Sequence, residues 1–278
     1  MINNSLNNEI LHFKEEKMKT MLAFDIDDTL NVAKTPIAEE MANILAELLA
    51  YYDVCAISGQ KFDQFLLQIV EPIHNKVSVE QLKRLHLMVA QGTQYYKFSG
   101  NDAIESINKT AWQLIYSHPL EKDQIDKIIK VIERATKELG YWCDQPKGEI
   151  IEDRISQVTF SALGQSASTD DKYKWDQDRK KRQSIVKLAK SLAPEFDYEI
   201  GGTTSINIFL PGMNKTFGMD NLIKINNLDK KDILYFGDMT MPGGNDYPVV
   251  QMGIDTITVE KWQDTAFCLK GIIAVSKK

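Results

Sequence analysis

The sequence predicts an α/β protein: a parallel-sheet core interrupted by a smaller α+β insert. Three observations carry that expectation. Short apolar runs recur at 20–24, 53–57, 85–90 and 233–236, the pattern of strands buried on both faces. Segments with helical spacing separate the first three, as right-handed β-α-β crossovers require. After about Lys97 the pattern shifts to strands in which polar and apolar residues interleave, and the fully apolar kind returns only at Ile233.

The first run, 20–24 (TMLAF), stops abruptly at Asp25. A helix follows, with Thr35 placed as its N-cap, Pro36 at its first position and Glu39 and Glu40 in its first turn. Ile37, Met41, Ile44, Leu45, Leu48 and Leu49 form its apolar stripe. The second strand, 53–57 (DVCAI), ends at Ser58-Gly59; 61–70 is helical again, and 85–90 (LHLMVA) is the third strand. Within the insert, 119–139 is a long amphipathic helix closed by Gly140. The segments 155–163 and 203–210 are strands with one wet face, and 172–192 is a charged helix between them. The run 233–236 (ILYF) ends at Gly237-Asp238, and 255–259 (DTITV) is a last strand. The expected division is a polar N-terminal arm over 1–17, a core over 18–97 and 211–278, and a cap over 98–210.

The chain has 278 residues, 43% of them hydrophobic and 26% charged, which suits a globular protein rather than a disordered or fibrous one. A net charge of −6 gives no general attraction to phosphate backbones or anionic lipid. Neither nucleic acid nor a membrane is an expected partner. Cys55, Cys143 and Cys268 lie far apart and form no CxxC pair, so neither a zinc knuckle nor a disulfide framework is indicated. No run of about 18 apolar residues occurs, and the opening residues lack the apolar centre of a signal peptide. A cytoplasmic protein is expected.

In open parallel sheets, ligands bind outside the carboxyl ends of the strands. Three expected strands end there in polar groups: Asp25 and Asp27, then Ser58, then Asp238. Carboxylates crowded at one rim repel, so a divalent cation should neutralise them, and an oxygen-only donor set favours magnesium. A calcium loop fits DIDDTL poorly, because a strand precedes it and Leu30 stands where that loop needs glycine. His12, His74, His86 and His118 show neither ligand nor triad spacing.

FDIDDTL, ISG, the lysine of GMNKTFGM, and GDMTMPGGND resemble the four ordered motifs of the haloacid dehalogenase (HAD) superfamily. The insert between the second and third motifs resembles a type IIB cap. Within that branch, the GD-x-TMPGGND, GG-x-x-S and P-G-x-x-K stretches are similar to the eukaryotic-type phosphomannomutase family. The resemblance implies a HAD-like Rossmannoid core and a small phosphorylated metabolite, such as a sugar phosphate, as substrate. It implies Asp25 as nucleophile forming an aspartyl phosphate, Asp27 as acid and base, and Ser58 and Lys215 as partners of the phosphoryl oxygens. A magnesium ion would be held by the Asp25 carboxylate, the Asp27 carbonyl and the Asp238 carboxylate, with Asn245 and Asp246 orienting its waters or Lys215. Related caps pair, so the resemblance also admits a homodimer through the cap.

For substrate binding, the same likeness points to Arg154, Ser205, Lys34, Lys172, Gln165 and Asn207. Arg154 and Ser205 keep the family's residue types. Lys172 stands where an arginine is expected, and Lys34 falls near another. Gln165 replaces an arginine, and Asn207 an acid that contacts sugar hydroxyls. Glutamine offers no charge, and losing one charge-assisted contact costs about 1.5–3 kcal/mol. A bisphosphate held that poorly would escape, leaving water to finish the reaction. The departures therefore lead to the expectation of a magnesium-dependent phosphatase. Phosphomannomutase activity is the alternative, and a catalytically silent phosphometabolite-binding module on the same fold is the third reading.

Overall fold

A computed structural model describes residues 18–277; the polar arm expected over 1–17 lies outside the described residues. In chain order the strands are β1 (Met21–Phe24), β2 (Asp53–Ile57), β3 (Leu85–Val89), β4 (Gln94–Phe98), β5 (Trp112–Ser117), β6 (Ile151–Asp153), β7 (Gln157–Ser161), β8 (Asp197–Gly201), β9 (Ser205–Phe209), β10 (Ile233–Gly237) and β11 (Asp255–Thr258). They form a seven-stranded sheet, β11-β10-β1-β2-β3-β4-β5, and a four-stranded sheet, β6-β7-β9-β8. From β11 to β3 every pairing is parallel; β4 and β5 join antiparallel at the edge. The architecture is the mainly parallel α/β fold that the apolar runs predict.

Register sets the site. Phe24 lies opposite Phe236 on one side and Ala56 on the other, so the ends carrying Asp25, Ser58 and Asp238 emerge at one rim. Alternate side chains feed the sheet's two faces. Leu22 and Phe24 join Leu45, Phe65 and Leu269 on one face, while Met21 and Ala23 join Tyr235, Met219 and Leu222 on the other. The flanking helices of the first half are α1 (Glu39–Leu48), α2 (Phe62–Phe65), which runs through a π-helical turn (Leu66–Val70) into α3 (Glu71–Ile73), and α4 (Val79–Leu82).

Helix α1 starts later than the sequence suggests. Ala38 occupies the N-cap with no side-chain cap, because the Thr35 hydroxyl donates instead to the Val32 carbonyl at 2.7 Å. Trp112–Ser117 also differs from expectation, since it extends the large sheet from within the span assigned to the cap. We propose that the passage into the insert lies at 118–120 rather than at 98.

The second half holds α5 (Lys122–Glu138), α6 (Thr169–Trp175), α7 (Lys180–Leu192), α8 (Lys215–Ile225), α9 (Tyr247–Gln251) and α10 (Trp262–Ser276). The single helix expected over 172–192 is therefore two. Asp176 ends α6 and turns back to accept from the Lys181 and Arg182 amides at 2.9 and 3.1 Å. Its carboxylate also accepts from Arg182 Nε at 2.7 Å in a fully enclosed ion pair. Capping α7 and neutralising a buried guanidinium outweigh helical continuity.

The four-stranded sheet has two unlike faces. Val158, Phe160, Ile206 and Ile208 pack against Ile128, Ile132 and Ile185 of α5 and α7. The opposite face carries Glu152, Thr159, Asn207 and Glu199 in lateral register, and it covers the rim of the large sheet. Among the described residues no helix is long and apolar enough to cross a membrane, and Cys55, Cys143 and Cys268 are free.

Helix α8 meets the end of β3 backbone to backbone. A Cβ on Gly218 would lie 2.8 Å from Gly92 Cα and 2.9 Å from Ile57 Cδ1, and backbone cannot step aside. Alanine normally favours a helix by about 1 kcal/mol over glycine, but the overlap outweighs that gain. Gly218→Ala is expected to lower stability by about 1–3 kcal/mol in urea unfolding; an unchanged or raised midpoint would contradict this contact.

Candidate active site between core and cap

Four loops at the rim supply the floor. Asp25 follows β1, and the chain then turns sharply: the Leu30 amide donates to the Ile26 carbonyl at 2.8 Å, and Asp28 takes φ 60°. Asp27 accepts from the Lys34 amide at 2.8 Å and from Gln60 Nε2 at 2.9 Å. Ser58 is buried at the end of β2. Lys215 opens α8 and is 0% exposed. Its ammonium donates to Asp25 Oδ1 and Asp246 Oδ1, each at 2.6 Å, and to the Tyr235 hydroxyl at 3.2 Å.

Asp25, Asp238 and Asp246 each place a carboxylate oxygen within 4.8 Å of the others. Burial raises Asp25 well above the carboxylate range, against the pull of Lys215, and Asp246 and Asp238 add to the rise. Burial, and then Asp246, lifts Asp238 to about 7. Three carboxylates thus share one ammonium, an excess of negative charge that a hard divalent cation on oxygen donors would relieve. Asp246 is otherwise engaged. It also accepts from the Tyr235 hydroxyl at 2.5 Å and from the Met239 amide at 3.0 Å. The oxygens left for a metal are Oδ2 of Asp25 and the carboxylate oxygens of Asp238. Asn245, next to Asp246 in the chain, has a buried Oδ1 that no donor reaches.

The ceiling is the polar face of the cap sheet. Arg154 Nη1 and Gln157 Nε2 both donate to the Gly59 carbonyl, at 2.6 and 2.9 Å. Gln94 Nε2 donates to the Arg154 carbonyl at 3.0 Å. At one side, cations collect: Lys34 Nζ donates to Gln165 Oε1 at 3.0 Å, and Lys172 Nζ to the Gln165 carbonyl at 2.6 Å. Burial of its ammonium, then the charges of Lys172 and Arg154, hold Lys34 down at about 8. Glu152 is the counterion, paired with Lys61 and Arg154 at 2.7 Å each. Burial would raise Glu152, but Arg154 and Lys61 outweigh it and keep the carboxyl below its ordinary range.

The structure gathers Asp25, Lys215, Asp238 and Asp246 directly, with Asp27 and Ser58 on adjoining strand ends. Lys34, Arg154, Gln165 and Lys172 form one basic corner. Asn207 meets the core, since a methyl on Gly59 would sit 3.3 Å from its Nδ2. Ser205 shares a hydrogen bond with Ser161 at 3.2 Å, at the end of the ceiling. Sequence reasoning missed Tyr235, Gln60, Gln91, Gln157 and Glu199. The signal for Gln157 was periodic: it falls on the wet face, shared with Asn207, of a strand the sequence predicts.

An aspartate-rich loop after the first strand, a buried lysine opening a late helix and a cap over the rim define an enzyme of the HAD superfamily. The eukaryotic phosphomannomutase family model matches residues 63–275, so the chain belongs to that family. It is 28% identical to the phosphomannomutase of Saccharomyces cerevisiae over 243 residues, 84% of this chain and 86% of that protein. Phosphomannomutase 2 of Dictyostelium discoideum is 27% identical over 241 residues, 84% of this chain and 88% of that protein. Among solved structures, a C-terminally truncated IMP-nucleotidase from Plasmodium falciparum superposes with a TM-score of 0.67 at 16% identity, over 94% of this chain and 72% of that one. That likeness concerns the fold alone.

These matches overturn the phosphatase expectation, because the curated relatives that span most of the chain are phosphomannomutases. Gln165 nonetheless lies in a cationic corner, where Lys34 and Lys172 both hydrogen-bond to it.

Glu199 gives this site a pH signature. Burial, above all, raises its carboxyl to about 7. A carboxyl raised on folding stabilises the fold fully below its unfolded pKa of about 4.3 and loses that contribution as pH rises through the folded value. Glu199→Gln stays neutral throughout, so its melting temperature is expected to gain on the parent between about pH 5 and pH 8. An equal offset at both ends of that range would contradict the burial of this carboxyl.

Proposed function

We propose that this protein is a phosphohexose mutase that interconverts mannose 1-phosphate and mannose 6-phosphate through a phosphorylated Asp25. The observation that carries the reading is its membership of the eukaryotic phosphomannomutase family, with curated phosphomannomutases matched over more than four-fifths of the chain. Two unlike anion sites support it. One is the Asp25–Lys215 floor; the other is the basic corner of Lys34, Arg154 and Lys172 under the cap. A mutase needs both, because the intermediate carries a phosphate at each end.

In this reading an Asp25 oxygen attacks phosphorus in line, the bond to the sugar oxygen breaks, and Asp27 gives that oxygen its proton. In the mutase cycle the phosphorylated enzyme passes its phosphoryl group to the free hydroxyl of the incoming monophosphate, whose proton goes to Asp27. The resulting bisphosphate then returns its other phosphoryl group to Asp25. Gln60 and the Lys34 amide hold the Asp27 carboxylate for this exchange. Ser58 and Lys215 face the phosphoryl oxygens, and Asp246 fixes the ammonium of Lys215. The oxygens of Asp25 and Asp238, with the Asp27 carbonyl, suit magnesium. Such an ion supplies, when bound, charge neutralisation between nucleophile and phosphate. The basic corner grips the phosphate that is not reacting while the cap excludes water, which would otherwise hydrolyse the aspartyl phosphate.

The test supplies mannose 1-phosphate with magnesium and a catalytic amount of hexose bisphosphate. Mannose 6-phosphate is expected to accumulate well ahead of free phosphate, and Asp25→Asn to lose the activity by on the order of a thousandfold or more. Phosphate release that keeps pace with mannose 6-phosphate would contradict the mutase reading.

A further inference from the structure

Glu199 stands apart from the groups assigned above. It lies in β8, directly opposite Asn207 in the strand register, inside the ceiling. Glu152, another carboxylate of that face, is paired with Lys61 and Arg154; among the described residues Glu199 forms no ion pair. Its Oε1 accepts instead from Gln91 Nε2 at 2.5 Å, across the cleft between core and cap.

Gln91 is held there by strain. Ala90 and Gln91 have φ values of 49° and 63°, followed by Gly92 at 83°, although side chains other than glycine avoid that region. Such outliers persist where the surroundings fix them and concentrate at functional sites. The turn packs on Gly218, three residues along α8 from Lys215, and the Gln91 amide donates to the Ser58 carbonyl at 2.9 Å. The strained turn therefore carries Gln91 from the phosphoryl loop to Glu199.

The neighbouring amides leave acceptors over. Oε1 of Gln60, Gln91 and Gln157 are all buried with no donor in reach, and the last two residues are each 1% exposed. Gln91 and Gln157 border the same glycine, Gly59, and Gln60 follows it in the chain. Buried acceptors without donors are costly, and in native structures each is accounted for by strain, a catalytic role, or a partner such as water, an ion or a ligand. A ligand here must bring several hydrogen-bond donors and no large apolar surface. Vicinal hydroxyls on a sugar ring have that chemistry.

We propose that Glu199, positioned by Gln91 and Asn207, is a specificity residue that accepts hydrogen bonds from ring hydroxyls of the phosphosugar. The inference rests on the mutase reading and adds the part of the cleft that selects the carbon skeleton. It relocates the carboxylate of the ceiling from the β9 position, where Asn207 stands, to its cross-strand neighbour.

The test measures kcat/KM for mannose 1-phosphate and for its 2-, 3- and 4-deoxy analogues, in the parent, Glu199→Gln and Glu199→Ala. Removing the hydroxyl that Glu199 accepts is expected to cost the parent roughly tenfold to a hundredfold, as for a hydrogen bond to a charged group. In Glu199→Ala the same removal is expected to cost less than about twofold, and Glu199→Gln, which retains an acceptor, should fall between. Circular dichroism checks the fold of each variant; should Glu199→Ala fail to fold, Glu199→Gln alone must show the reduced penalty. If the variants keep the parent's full penalty on every analogue, or the parent ignores all three deletions, the inference is overturned while the mutase reading stands. A parent that interconverts no hexose phosphate overturns both.

Discussion

One buried ammonium organises this molecule. Lys215 is enclosed at the start of α8 and lies 2.6 Å from both Asp25 and Asp246. Two carboxylates without it would face each other across a water-poor floor, and unpaired buried charge of that kind is strongly destabilising. Lys215 ties the end of the first strand, 190 residues before it, to the fourth motif, whose Asp246 lies 31 residues after it. The stabilisation is incomplete, since Asp238 adds a third carboxylate without a second lysine. Burial and mutual repulsion leave Asp25 and Asp238 reluctant to ionise. A floor so charged is poised for a cation and a phosphate together, and is poorly satisfied without them.

The cap completes the electrostatics from above. Its sheet presents a hydrophilic face to the core and an apolar one to α5 and α7. Contacts from Arg154, Gln157 and Gln94 draw it onto the rim. Shielding strengthens the interactions beneath, because charges act over a lower effective dielectric once water is displaced. Basic groups gather at one side and acceptor-rich groups at the other. In the mutase reading proposed above, these two sides would take the phosphate and the ring hydroxyls of a phosphosugar.

Much of the floor was legible in the sequence. Apolar runs that stop at Asp25, Ser58 and Asp238 mark strand ends, and parallel register brings those ends to one rim. Lys215 could be placed only because its motif is ordered with the others; nothing about a lone lysine signals full burial. The ceiling was harder. Alternation exposed the wet face of 203–210, but β8 was invisible, since all five of its residues are only half-buried and none forms an apolar run. Without β8 there is no partner for Asn207, so Glu199 could not be seen. Gln165 misled because the sequence does not show that Lys34 and Lys172, from other segments, converge on it in one basic corner. Gln91 depended on a backbone conformation for which glutamine carries no sequence signal. The split of the charged cap helix likewise followed from the buried Asp176–Arg182 pair, and charge composition alone does not reveal which charges are inside.

The central claim is that Asp25, held against Lys215, becomes covalently phosphorylated during turnover. The most direct measurement quenches the enzyme in acid during steady turnover of mannose 1-phosphate, reduces any acyl phosphate with borohydride and maps the modified peptide by mass spectrometry. The account predicts homoserine at position 25 and an unmodified Asp27. Modification at another carboxylate, or steady formation of mannose 6-phosphate with Asp25 never labelled, would contradict it.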